Sequence, residues 1–537
     1  MFSRLRLPVF DLHRLIRRSG PLCLAFLMVA CASQDSTVQV GYNEARAERL
    51  FTAGYGNVSD IYIDEVPVQD LAIAGMQSLA SIDPALGIEV EGERLRVSYD
   101  GQAMASFPLA APGDPESWGA LTAAVISVSR YHSRDLEAAE PEKIYEAVFD
   151  GLLTQLDNFS RYAGREAARE NRASRDGFGG IGVRIRLIEE GVLVLSVMED
   201  TPAKDAGLHE DDVIVAIDGE SVEGLSQHEA VNRLRGRIGS EVQLAIERNA
   251  EPAPLTLAVM RSHIVPQTVS YHREGNLGYI KLTGFNKRTA DSLRQKIAQA
   301  QNEIGSDLRG FILDLRGNPG GLLEQAVSVS DVFVTHGRIV SIHGRHTDSH
   351  QYYPAKRGDL IENLPLVVLI DGGSASASEI VAAALQDSGR AVLVGSSSYG
   401  KGTVQTVLPL PNTGEFILTW ARFHAPSGYA LHRRGVLPDV CTTSNDVNTS
   451  ADVLTLIHSG ALPLAADLRR RDVDINDDTA VEEFRANCPA REGDDAEIDL
   501  TVARQLLEEP GLYARTLHGI PDTAASSHTQ PQKTSGS

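Results

Sequence analysis

Apolar residues recur at three-to-four spacing through 43–51, 67–79 and 141–156, which predicts amphipathic helices. Pro67 and Pro141 open two of them, at the first helical position, where a missing N–H costs nothing. Between them, 88–97 and 102–109 alternate apolar and polar residues like a small hairpin. After the glycine cluster 177–182 the period shortens to two. Strands are expected at 182–188, 192–197, 213–217 and 242–248, with a hairpin turn at Asp218-Gly219. A short helix ends at Ala206-Gly207-Leu208 and another spans 226–234. From Gly278 the rhythm changes again. Short apolar runs at 278–282, 310–315, 366–370 and 391–394 alternate with helical patterns at 289–300, 320–332 and 377–386, the signature of an α/β layer structure. Beyond Val440 the chain turns helical and acidic, and beyond Asp522 it is Ser/Thr/Pro/Gln-rich, a composition that predicts disorder.

The length, 537 residues, suggests about three or four domains. Hydrophobic content of 42% and charged content of 23% are those of a soluble globular protein. A formal charge of −22 argues against non-specific nucleic-acid binding and against a polybasic membrane surface. The first thirty residues differ in kind. Arg4, Arg6, Arg14, Arg17 and Arg18 precede an apolar run at 21–30 that closes on Met28-Val29-Ala30-Cys31, which reads as a secretory signal. The run falls well short of the ~20 residues needed to span a bilayer. Small residues before Cys31 resemble a bacterial lipobox, so Cys31 is the candidate lipidated N-terminus. Ala32 stands where an aspartate would retain a lipoprotein at the inner membrane, and the expectation is the periplasmic side of a Gram-negative outer membrane. Cys23 leaves with the signal. Cys441 and Cys488 remain, and sequence leaves open whether they pair. Neither has a partner at metal-binding spacing.

Three motifs in the α/β region carry candidate chemistry. Leu313-Asp314-Leu315-Arg316-Gly317-Asn318-Pro319-Gly320-Gly321 is a buried strand entering a glycine turn ahead of a helix, where bare N–H groups suit an anion such as a tetrahedral oxyanion. Asp371-Gly372-Gly373-Ser374-Ala375-Ser376-Ala377-Ser378-Glu379 places serines at a strand-to-helix turn. Helix capping, with Glu379 as capping-box partner, accounts for Ser374 or Ser378. Gly400-Lys401-Gly402-Thr403-Val404-Gln405 holds a lysine between glycines without the spacing of a phosphate-binding loop. A lysine serves as a base near neutral pH only where burial or a neighbouring positive charge lowers its pKa.

The region from 177 to 262 resembles a PDZ domain. Gly179-Gly180-Ile181-Gly182, the stretch from Thr201-Pro202-Ala203 to Ala206-Gly207-Leu208, and Leu234-Arg235-Gly236 through Gly239-Ser240 carry the likeness. Such domains take a C-terminal carboxylate on backbone N–H groups and add the peptide to a sheet edge, here at Gly180, Ile181, Gly182 and Val183. With that segment ahead of them, the three motifs, together with Ala425-Pro426-Ser427-Gly428 and Gly435-Val436-Leu437-Pro438-Asp439, resemble the carboxyl-terminal processing proteases of peptidase family S41. The resemblance implies Ser376 as nucleophile, Lys401 as general base and Gln405 as the residue orienting it. It implies an oxyanion hole from the N–H of Ala377 with Gly320 or Gly321. Asp387 matches an acidic residue implicated in some members, and Arg235 is a candidate link between the PDZ-like unit and Gln405.

The expected fold is multidomain α/β: a signal peptide at 1–30, a lipid-anchored linker at 31–41, a mainly helical region at 42–174, and a PDZ-like domain at 175–262. A protease core of crotonase/ClpP-like α/β type at 263–440, a helical region at 441–521 and a disordered tail at 522–537 follow. The expected activity is that of an exported serine endopeptidase acting on proteins or peptides with accessible C-terminal tails, with no metal or cofactor. Family likeness admits an adaptor protein and a homo-oligomer. Two rival readings stand beside it. One is a silent PDZ scaffold tethering periplasmic partners, which would have no need of Ser376, Lys401 and Gln405 together. The other is an acyl-CoA enzyme of crotonase type, which the export signal disfavours.

Overall fold

The computed structural model describes residues 41–518, apart from 250, 252, 357, 445, 446, 448, 461–463, 465 and 492–495. The secretory signal, Cys31 and the tail at 522–537 therefore lie outside the described residues. Among the described residues no helix is long and apolar enough to cross a membrane.

Up to residue 160 the described N-terminal region has five α-helices rather than the three expected: Glu44–Ile61, Val68–Gln77, Pro115–His132, Arg134–Ala138 and Pro141–Leu153. The stretch 88–97 is not one strand. Gly92, at φ 63°, turns the chain, so that Leu86–Glu91, Arg94–Tyr99 and Gln102–Pro108 form a three-stranded antiparallel sheet. The helices bury Phe51, Tyr55, Met76, Trp118 and Phe149, and this core runs on into Phe416 and Leu418 of the α/β region.

The PDZ-like unit is a sheet in the order Leu255–Met260, Glu241–Glu247, Val213–Ile217, Gly191–Val197, Val183–Ile188, with the helix Gln227–Leu234 beside its last strand. A capping box between Ser226 and Glu229 starts that helix.

The α/β region carries a six-stranded sheet ordered Val269–Glu274, Leu277–Leu282, Gly310–Asp314, Leu366–Ile370, Val392–Gly395, Val440–Cys441, antiparallel only at its first pair. Every residue of its three central strands is buried, as expected for parallel strands covered on both faces. Helices Thr289–Ile304, Leu323–Ser330 and Ala377–Asp387 cover one face. The other is covered by Val453 and Ile457 of helix Ser450–His458, by Val502 and Leu506 of helix Ala496–Glu508, and by Leu512. The C-terminal region is thus part of the core and not an appendage to it. Its pairing question is also answered: Cys441 and Cys488 form a disulfide, with Cα atoms 5.7 Å apart.

A second sheet, ordered Gln351–Pro354, Arg338–His343, Glu415–His424, Thr403–Pro409, carries the lysine motif at its edge. Arg161–Ala163, from the N-terminal region, pairs with Glu415–His424. The helix Arg165–Asp176 then leads from this sheet to the PDZ-like unit. On the sheet side, Glu415, 5% exposed, accepts from Arg172 at 2.8 Å and Arg175 at 3.1 Å. Glu415→Ala removes both charge-assisted bonds, while the arginines can turn toward water. The expected loss is about 1–3 kcal/mol, read as a lower melting temperature by calorimetry.

Candidate active site

Leu366–Ile370 delivers the chain to a turn whose backbone is tied down before the helix Ala377–Asp387 begins. Asp371 Oδ1 accepts from the N–H groups of Gly317 (2.9 Å) and Gly373 (3.0 Å). Ser374 donates its hydroxyl to the Leu315 carbonyl and Ser378 to that of Asn318, both at 2.9 Å. These bonds correct the expected capping role of Ser374 or Ser378: the residue at the N-cap is Ser376 itself. Ser376 sits at φ 56°, ψ −111°, a sparsely populated backbone region for a side-chain-bearing residue, and is 9% exposed. The helix N-terminus behind it favours developing negative charge.

The glycine turn packs directly on this serine. The helix expected from Gly320 starts only at Leu323, so residues 317–322 are loop. Gly320 has φ +100°, and a Cβ there would come within 2.9 Å of Ser376 Cβ and 3.0 Å of the Ala377 nitrogen, too close for any side chain. Asn318 fastens the two turns together: its carbonyl accepts from Ala375 N–H at 3.0 Å and its side-chain oxygen from Gly320 N–H at 2.9 Å. Gly320 is therefore spent as a donor. The N–H groups of Ala377 and Gly321 make no hydrogen bond among the described residues. Of the two glycines, Gly321 has the N–H still to offer.

Glu379 is the residue that sequence reasoning undervalued. It is fully buried, and its carboxylate binds both reactive motifs. Oε2 accepts from the N–H of Ser376 (2.7 Å) and of Lys401 (2.9 Å). Oε1 accepts from Gly400 N–H (2.7 Å) and the Ser398 hydroxyl (2.5 Å). Burial pushes its carboxyl above the usual range, against four donors that favour the charged form. The signal was present in the sequence. Glu379 is the single charged residue in 377–386, a run that is small or apolar apart from Glu379 and Gln386 and is wholly buried.

Lys401 lies where a side chain between two glycines is rarely found. A Cβ on Gly402 would fall 1.9 Å from the His432 nitrogen, so only glycine lets this loop press against 431–433. Burial lowers the pKa of Lys401, and the nearby Arg161 lowers it further, while Glu379 and Asp157 oppose both. Its ammonium nitrogen stands over the ring of Phe159, 5.2 Å from the centroid. Phe159 and Arg161 come from the N-terminal region, and no motif marked them. Asp157 holds their segment in a turn by accepting from the N–H of Phe159 (2.6 Å) and Ser160 (2.8 Å). Gln405 lies beside this loop at a bulge in the strand pairing. Its side-chain nitrogen donates to Thr403 (2.8 Å) and Thr419 (3.2 Å), and it makes no hydrogen bond to Lys401.

Two expected participants fall elsewhere. Asp387 ends the helix that Ser376 begins, about 16 Å away at 1.5 Å per residue. It accepts from the Ser427 N–H (2.9 Å) and hydroxyl (2.6 Å) and pairs with Arg470, a structural role. Arg235 does not reach Gln405. Its guanidinium stacks on Phe178, 4.2 Å from the ring centre, at the mouth of the PDZ-like groove.

That groove has a volume of about 270 Å³ and is lined by Gly180, Ile181, Gly182 and Val183 opposite Val231 and Leu234. The N–H groups of Ile181 and Gly182 make no hydrogen bond among the described residues, as a carboxylate cradle requires. Further along the strand, the Gln227 side chain accepts from Leu187 N–H (2.8 Å) and donates to the Ile185 carbonyl (3.1 Å). Among the described residues one set could gather a cation: Glu166, Glu170 and His228, all exposed, at the contact between helix Arg165–Asp176 and helix Gln227–Leu234. None of the three touches the serine turn.

The family model of peptidase family S41 matches residues 276–442, and that of the PDZ domain matches 179–259. The carboxy-terminal-processing protease of Bartonella bacilliformis is 41% identical over 313 residues, which cover 58% of this chain and 72% of that protein. The carboxy-terminal processing protease CtpB of Bacillus subtilis is 30% identical over 384 residues, 70% of this chain and 78% of that one. A solved photosystem II D1 C-terminal processing protease aligns over 73% of this chain and 92% of its own, with 25% identity and a TM-score of 0.37. The chain belongs to peptidase family S41, as a PDZ-containing serine protease of the carboxy-terminal processing kind.

Proposed function

We propose that the protein is an endopeptidase that captures substrate tails in the PDZ groove and cleaves them with Ser376 and Lys401. One observation carries this reading: a single buried carboxylate oxygen, Glu379 Oε2, accepts from the backbones of both residues. The shared acceptor fixes two motifs 25 positions apart in sequence against one another.

In this reading the neutral amine of Lys401 takes the proton of the Ser376 hydroxyl as its oxygen attacks a peptide carbonyl. The N–H groups of Ala377 and Gly321 receive the oxyanion. The protonated lysine then gives its proton to the departing amine, leaving an acyl-enzyme. Water, deprotonated by the same lysine, releases the acid and restores the serine. Gln405 can take part only through its amide oxygen, since its nitrogen is committed to the threonines. Export by residues 1–30 and a lipid on Cys31 would place this chemistry in the periplasm, at the outer membrane. Mass spectrometry of the mature N-terminus checks that part, and an absent or unacylated Cys31 rejects it.

Ser376→Ala and Lys401→Ala are each expected to lower kcat on a substrate with an apolar C-terminal tail by at least about 10⁴-fold. Cleavage by either variant at the wild-type rate would sink the dyad. The pH dependence gives a second check. Activity requires neutral Lys401 and so rises with pH through its lowered pKa. Arg161→Met removes a positive charge that disfavours the ammonium, so the rising limb of kcat should move to higher pH. An unmoved limb would mean that Arg161 does not tune the base. Glu379→Gln keeps the shape but turns an NH₂ toward N–H donors, and about 10–100-fold loss of kcat is expected with little change in KM.

A further inference from the structure

The peptidase family match ends at residue 442, yet a short arm beyond it reaches the loop that carries Lys401. That loop, 396–402, joins strand Val392–Gly395 to strand Thr403–Pro409 and has no regular structure of its own. Something outside it must hold it. Glu379 does so from the core side. From the opposite side, Arg485, the last residue of helix Asp478–Arg485, donates from Nη2 to the Ser398 carbonyl at 2.9 Å and from Nη1 to the Arg434 carbonyl at 3.2 Å. Ser398 is the same residue whose hydroxyl donates to Glu379 Oε1. We propose that Arg485 is a positioning residue of the active site, and that the Cys441–Cys488 disulfide holds the arm that delivers it. This rests on the Ser376/Lys401 reading above.

The neighbours of Arg485 act in the same direction. Ser397 donates its hydroxyl to the Cys488 carbonyl, and Ser396 accepts from the Arg491 N–H at 3.1 Å. Three consecutive serines are thus each fastened to the arm. The Arg491 carbonyl also accepts from Gly372 N–H at 2.8 Å, in the turn that leads to Ser376. The arm therefore touches both reactive loops. Its anchor lies at their base, because Cys441 pairs with Gly395, the residue at which the lysine loop begins. Besides the disulfide, the arm is held by a cluster in which Val473, Val481 and Phe484 meet Leu437, and by Arg433 and Arg434, which donate to the carbonyls of Ile475 (2.7 Å) and Arg471 (3.0 Å). The cross-link adds to these contacts, since closing the 47-residue separation restricts the undocked chain. An arginine that only capped a helix would have no reason to sit on the carbonyls of 398 and 434. Arg433, next to Arg434, also donates its N–H to the Gly400 carbonyl at 2.7 Å. Glu379 also acts on Arg485 electrostatically, favouring its charged form against the burial that disfavours it.

The test uses the full chain, with kcat, KM and the pH profile measured on a tailed peptide substrate and the affinity of the tail peptide alone measured in parallel. Arg485→Met should lower kcat about 10–100-fold and leave KM and tail affinity within about twofold. Its rising pH limb should move up, because a loosened loop lets water reach Lys401. Arg485→Lys, which keeps one donor for the Ser398 carbonyl, should recover part of kcat. Reduction by dithiothreitol, verified by thiol alkylation, should lower kcat of the wild type but not of a Cys441→Ala/Cys488→Ala variant, which should already be slow. A folded Arg485→Met with wild-type kcat and pH profile overturns the proposal. Should that variant fail to fold, unchanged kcat on complete reduction overturns it instead. Ser376→Ala is run alongside: if it still cleaves, the dyad reading fails, whereas an inactive Ser376→Ala with a wild-type Arg485→Met rejects the positioning role alone.

Discussion

A carboxylate buried with four hydrogen-bond donors around it is the constraint on which the rest of the site depends. Removing a charge from water is costly, and Glu379 is fully enclosed. The cost is tolerable only while Ser376, Ser398, Gly400 and Lys401 all point at its two oxygens. A slip of the lysine loop strands Oε1 without a donor, and a slip of the serine turn leaves Oε2 with one. The alignment of two residues on separate loops is therefore enforced by the desolvation of a third.

The lysine side of this arrangement is finished by a segment that precedes the PDZ unit in the chain. Phe159 lies beneath the ammonium and Arg161 bears on it from nearby. Both are fixed because Arg161–Ala163 pairs with the sheet strand Glu415–His424 and the Ser160 hydroxyl accepts from Thr419 N–H at 3.1 Å. Thr419 also receives the Gln405 amide, so the N-terminal segment, the bulged strand and the lysine loop meet at one residue. The docking of the N-terminal region thus brings Arg161 to add to the burial that lowers the pKa of Lys401.

Much of this was legible in the sequence wherever a local rule decides. The parallel strands announced themselves as unbroken apolar runs, and the serine, lysine and groove residues stood inside motifs whose spacing is short. What stayed hidden depends on residues far apart in sequence. Phe159 and Arg161 look like any turn and strand until Arg161–Ala163 pairs with Glu415–His424 and brings the turn before it to Lys401. Glu379 reads as an ordinary capping partner because a helix rule explains it well, and nothing local reveals that 398–401 folds back onto it. The same cause misplaced Arg235 and Asp387. Each is charged and near a motif, but Arg235 meets Phe178 and Asp387 meets Ser427, contacts that only the tertiary fold supplies. The cysteines could be counted from sequence but not paired, since the pairing rests on an arm whose docking no periodicity encodes.

The linker helix Arg165–Asp176 shows how magnitudes, and not the number of contacts, set the mechanical character of the molecule. On its PDZ side it offers Glu166 and Glu170 to His228 and Arg169 to Asn232, all at exposed positions. Exposed pairs of this kind are worth roughly 0–1 kcal/mol each and are screened by salt. On its other side Arg172 and Arg175 converge on Glu415, whose carboxylate is 5% exposed and cannot be abandoned without leaving a charge in the interior. The helix is thus bound firmly to the catalytic sheet and weakly to the helix that walls the peptide groove. A force that separates the two units breaks the groove side first and leaves the segment 157–163, and with it the surroundings of Lys401, in place.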